Sequence, residues 1–128
     1  MNRSDLESRI IARNAGLMKF ARLDYTTEDG TNTDIGYALD AALSEMGESS
    51  VGSVQDEVRL VAGVEYFLLE AIEGSMCLAQ LFFNRTPGGS GSLAGQAREF
   101  LTQRKSSAYR RFYQAEAVSV DFHFSERS

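Results

Sequence analysis

A chain of 128 residues with 43% hydrophobic residues and a mean hydropathy of -0.25 has the size and apolar content of one folded domain with a modest core. No apolar run approaches the roughly 18 residues of a membrane-crossing helix, and the charged first twenty residues do not read as a secretory signal. The single cysteine, Cys77, excludes an internal disulfide and favours a reducing compartment. A formal net charge of -5 conceals an uneven distribution. Between Asp24 and Glu73 twelve acidic residues stand against one basic residue, Arg59, while both flanks are rich in arginine and lysine. Such asymmetry can orient one subunit against the next or turn a basic face towards an acidic partner.

Taken in chain order, Ser4 and Glu7 form a possible capping box, followed by Leu6, Ile10, Ile11, Leu17, Met18 and Ala21 at helical spacing. This predicts a first helix from about Asp5 to Arg22. The polar, glycine-containing stretch 24–34 reads as a solvated loop. A second helix is expected to start after Thr33 or Asp34, with Ile35, Ala38, Leu39, Ala42, Leu43 and Met46 on one face and Gly47 as its left-handed end. Ser53 is a potential N-cap for the longest element, Val54 to Phe83, whose wide apolar stripe includes Val58 and demands packing on more than one side. Its Glu65, Glu70 and Glu73 are spaced like a solvated face.

The only proline and a run of glycines at 84–92 must end that helix and act as a flexible connector. A fourth helix follows, with Leu93, Ala97, Phe100, Leu101, Ala108, Phe112 and Tyr109 inward and its arginines mostly outward. From Val118 to Phe124, apolar Val118, Val120, Phe122 and Phe124 alternate with Ser119, Asp121 and His123, the period-two pattern of a half-buried strand. The expected architecture is mainly α: about four helices around one long central helix, in a domain spanning 1–116, with a strand-like tail at 117–128. A strand needs a partner for its backbone groups. Addition to another chain is one answer, and pairing with a short strand near Leu23 to Thr27 is the other.

Chemical motifs fall away on inspection. The glycine run has no lysine after its glycines, and Gly89, Gly91 and Gly95 miss the dinucleotide spacing by one residue. Aligning Gly30 with the glycine of a calcium-binding helix-loop-helix puts Tyr25 and Gly36 where carboxylates are required. One histidine, His123, supplies neither a metal cluster nor a triad with an obvious nucleophile. The expectation is therefore no catalytic residue, no cofactor and no metal. Arginines mixed with Tyr109, Phe112 and Tyr113 occur in nucleic-acid binders, but helical spacing makes the aromatics core and the pI near 4.9 argues against a dedicated DNA-binding module. Contact with an acidic partner falls to Arg104, Lys105, Arg110 and Arg111.

The layout resembles the head-to-tail connector, or adaptor, proteins of tailed bacteriophages. The resemblance rests on a first helix, the turn TNTDIGYALDAALSEMG opening a second, the long DEVRLVAGVEYFLLEAIEGSMCLAQLFF helix, a polar loop, a further helix and the terminal tail. It carries no invariant signature, and the TPGGSGS loop is longer than that pattern favours. It implies a homo-oligomeric ring, commonly of twelve subunits, docked beneath the portal protein in the virion neck after assembly in the host cytoplasm. Passing DNA would be met without sequence specificity along an acidic channel, with no membrane contact. The glycine-rich loop or the tail would touch the portal or a neighbouring tail protein. The rival class is a small helical regulatory or nucleic-acid-binding protein acting as monomer or dimer.

Overall fold

The computed structural model describes residues 1–83 and 90–114, with side chains at 1–75 and 98–113. The fold is mainly helical, and the described residues contain no strand. In chain order they form α1 (Arg3–Phe20), α2 (Thr33–Met46), a single 3-10 turn (Val51–Ser53), α3 (Glu57–Phe83) and α4 (Ser90–Tyr109), which runs into a π-helical turn (Arg110–Gln114). Of the glycine-rich connector expected over 84–92, residues 84–89 lie outside the described residues, as does the tail over 117–128 with Val118, Val120, Phe122 and Phe124, while 90–92 belong to the first turn of α4. The stretch 23–27, the alternative partner for that tail, is irregular rather than extended into a strand.

Asn and Asp cap the first three helices. Asn2 accepts from the Asp5 amide at 2.8 Å, Asn32 from the Ile35 amide at 3.0 Å and Asp56 from the Arg59 amide at 3.0 Å, in each case satisfying a first-turn donor that has no helical acceptor. The expected Ser4–Glu7 capping box does not form. Ser4 Oγ donates to the Glu28 carbonyl instead, and Glu7 turns into the protein. At the far end of α1, Arg22 takes a left-handed φ of 62° and the Leu23 amide closes on the Met18 carbonyl at 2.8 Å, so the helix stops before the Arg22 end predicted for it. Gly47 ends α2 as expected, at φ 70°, a conformation that costs glycine nothing sterically. The long helix begins at Glu57 rather than Val54 because Asp56 caps it in place of the expected Ser53, whose hydroxyl instead donates to the Ser50 carbonyl at 2.8 Å within the 3-10 turn.

Twenty-seven residues make α3 about 40 Å long, and it packs against α1, α2 and α4 in turn. Its Leu60, Val64, Leu68, Leu69 and Ile72 are fully buried with Leu6, Ile10 and Met18 of α1, Ile35 and Leu39 of α2, and Leu101 and Phe112 at the C-terminal side. Full burial of such side chains contributes about 1.5–3 kcal/mol each. The helix α4 runs antiparallel to α3: Lys105 meets Glu70 and Glu73, whereas Phe112 reaches back to Arg59 and Gly63. A Cβ on Gly63 would stand 2.5 Å from the Phe112 ring, so only glycine admits this close approach. Arg59 lies over that ring at 5.3 Å and its Nε donates to the Phe112 carbonyl at 2.9 Å. Tyr66, Phe67, Tyr109, Phe112 and Tyr113 continue the seam edge to face.

The loop between α1 and α2 is closed by its own polar groups. Buried Glu7 accepts from the Gly30 amide at 2.8 Å and the Asn32 amide at 3.2 Å, and Arg3 pairs with it at 3.3 Å. Asn32, also buried, donates to the carbonyls of Asp24 and Thr27 while capping α2. The stretch expected to be solvated is therefore anchored at its second half.

Candidate interaction groove

On α3, Glu65 follows Val58, Val61 and Ala62 at helical spacing, and all four face the space between α1 and the end of α4. Glu65 is 4% exposed, against its expected place on a solvated face. Burial of a carboxylate requires partners, and three converge on it: Arg13 Nε at 3.2 Å, Arg104 Nη2 at 3.2 Å and Asn14 Nδ2 at 3.4 Å. Arg104 also donates to Asn14 Oδ1 at 2.9 Å and to the Arg13 carbonyl at 3.1 Å, so one guanidinium ties α4 to α1 and α3 together. Its Nε is buried without a hydrogen-bond partner.

Beside this network lies a groove of about 400 Å³. Ala12 of α1, Ala62 of α3 and Ala108 of α4 face it, and three methyl groups where longer side chains could have met leave the volume unfilled. Val58 and Val61 complete the apolar floor, with Val58 71% exposed although its position in the stripe predicts burial. Arg9, Arg13 and Arg111 form the rim. Neither Arg9 nor Arg111 makes an ion pair among the described residues, in contrast to Arg104 and Lys105. Among the described residues, the only carboxylate in the lining is Glu65, already held by two guanidiniums. An apolar floor with a cationic rim suits an amphipathic, anionic surface.

Of the four cations assigned to an acidic partner, Arg104 turns inward to Glu65, and Lys105 pairs with Glu73 at 3.3 Å and Glu70 at 3.6 Å. Arg110 and Arg111 are exposed, and Arg111 alone of the four joins the groove. The sequence reading missed Arg9 and Arg13. Their signal is present in hindsight as Arg9, Ala12 and Arg13 at i, i+3 and i+4 of α1, but nothing in the chain announces that Ser107, Ala108 and Arg111 close the other wall.

A second exposed surface is the outer face of α2. Thr33, Tyr37, Asp40 and Ser44 are exposed in one stripe, Tyr37 at 74%, and α2 contains no lysine or arginine. Elsewhere, the hydrogen bond from Tyr66 to Glu70 at 2.8 Å, reinforced by burial, raises the phenol to about 12. Burial likewise raises Tyr113. Hydrogen bonds from Thr27 and Thr26 hold the Asp24 carboxyl at about 2. These groups shape local structure, and no cluster of three or more His, Cys, Asp or Glu residues able to hold a metal occurs among the described residues. No described helix is long and apolar enough to cross a membrane. Compared with known proteins, the chain matches no protein-family model, no curated protein and no solved structure.

Proposed function

We propose that the protein is an assembly component rather than an enzyme, forming a ring-like homo-oligomer that docks onto larger partners as the head-to-tail connectors of tailed bacteriophages do. The observation that carries this reading is the presence of two unlike surfaces on one small chain: the arginine-rimmed apolar groove and the outer face of α2, which exposes Tyr37 and Asp40 on a helix without a lysine or arginine. A head-to-tail contact joins two different patches, and repeating it closes a ring when the rotation permits. The helix order and the quoted α2 and α3 segments support the same reading. In such a ring the exposed acidic residues of the 24–73 segment that lie outside the contact between copies would serve the DNA path, and Val118, Val120, Phe122 and Phe124 would add to a neighbouring chain.

The test is the solution mass of the full chain and of a version ending at Glu116, measured by light scattering over a wide concentration range. A closed oligomer formed by the full chain supports the assembly reading, and its loss in the shortened version assigns the tail to the contact. Monomers throughout, together with salt-dependent retention of the protein on duplex DNA, would move the assignment to the nucleic-acid-binding rival.

A further inference from the structure

We propose that the groove between α1, α3 and the end of α4 is the receiving half of a head-to-tail contact, and that its occupant is the outer face of α2 of a second copy, centred on Tyr37 and Asp40. This rests on the assembly reading and specifies its seam.

Three features converge on that occupant. The groove offers an exposed apolar floor at Val58 and about 400 Å³ of open volume, and α2 offers one large aromatic side chain, Tyr37, standing 74% exposed in the middle of a helix. Tyrosine brings large apolar area with few rotatable bonds and a hydroxyl that tolerates a wet rim, which is why it recurs at the energetic centres of interfaces. Charge supplies the second feature. Arg9, Arg13 and Arg111 surround the floor, whereas α2 contains no cation and presents Asp40 one turn from Tyr37. The third is topology. No described residue of α2 lines the groove, so the two surfaces occupy different elements and a contact between two copies leaves the face of one copy and the groove of the other still free. Propagation follows from that asymmetry. Exposed charge pairs are screened by salt, so the contact should weaken as ionic strength rises.

Site-directed cross-linking tests this directly. In a Cys77→Ser background, Tyr37→Cys and Val58→Cys are made as separate single-cysteine proteins and oxidised alone and mixed. A disulfide requires Cβ atoms within about 4 Å, so the proposal expects a mixed Tyr37→Cys/Val58→Cys product well above either homodimer. Adding Asp40→Arg to the first partner should cut that product about tenfold, a loss on the order of 1.4 kcal/mol. Combining it with Arg9→Glu and Arg111→Glu on the second partner should restore the product. A dominant Tyr37→Cys homodimer would overturn the proposal in favour of two α2 faces meeting each other. Oligomers by light scattering without the mixed product would overturn the seam while leaving the assembly reading intact, and monomers alone would remove both. Alkylation of Val58→Cys that is blocked in the full chain and released in one ending at Glu116 would give the groove to the chain's own tail and overturn the proposal.

Discussion

Glu7 and Glu65 are both buried carboxylates on helices, and they are satisfied in opposite ways. Glu7 receives two backbone amides, from Gly30 and Asn32, and a single half-exposed arginine, so its influence stays within α1 and the loop it holds. Glu65 receives side chains only: Arg13 and Asn14 from α1 and Arg104 from α4, across sequence separations of 52, 51 and 39 residues. The difference teaches what a buried charge can do in a small helical protein. Amide donors belong to a local backbone path and stabilise a loop conformation. Guanidinium and carboxamide donors belong to separate helices, and because each would be left uncompensated without the carboxylate, they fix how those helices sit against one another.

The largest way to break this contrast is Glu65→Ala. Removing the carboxylate strands Arg104 and Asn14 at a site shielded from water, and the loss should be about 3–5 kcal/mol in urea-induced unfolding. A double-mutant cycle with Arg104→Met should show strong coupling, because the two residues act as one unit. Replacing Glu7 by Gln keeps shape but leaves one acceptor oxygen where two are used, so one of the Gly30 and Asn32 amides loses its acceptor and the other its charge assistance, and a smaller loss of about 2 kcal/mol is expected. Its signature should be local: faster hydrogen exchange at the Gly30 and Asn32 amides, with the α3 core little changed. Equal acceleration across α3 would erase the distinction between the two carboxylates.

The smallest effect sharpens the local side of the comparison. Asp24 also accepts loop amides, from Thr26 and Thr27, but on the exposed surface. With its folded pKa at about 2, below the ordinary value of 3.8, its contribution is fully present above 3.8 and lost as pH falls through about 2. The Thr26 and Thr27 amide resonances should therefore shift in NMR spectra near pH 2. A midpoint near 3.8 would mean that these bonds do not hold in solution.

Much of the fold was readable because it is local. Periodicity located four helices, Gly47 marked the end of α2, and the inward residues Ile35, Leu39, Leu60, Leu101 and Phe112 followed from spacing, whereas Phe100 and Tyr109, expected inward on α4, are 49% and 43% exposed. The capping box at Ser4 and Glu7 was a local pattern overruled by distant donors, since the Gly30 and Asn32 amides offered Glu7 a buried site. Val58 and Glu65 exchanged their expected places for a related reason. A helical stripe records hydrophobicity around an axis, but which sector is covered depends on where α1 and α4 land. Three alanines from three helices left Val58 open, and two arginines and an asparagine made the interior habitable for Glu65.

By itself, then, the sequence determined the helical class, the element order and most of the inward-facing residues, because 3.6-residue periodicity and capping chemistry act within a few residues of chain. Only the tertiary structure decided which charges are buried, where Arg9, Arg13 and Arg111 meet, and that an apolar floor lies open between them. Those outcomes depend on side chains as far apart in the chain as Arg9 and Arg111, and on the volumes that remain when helices of fixed pattern pack at one particular set of positions.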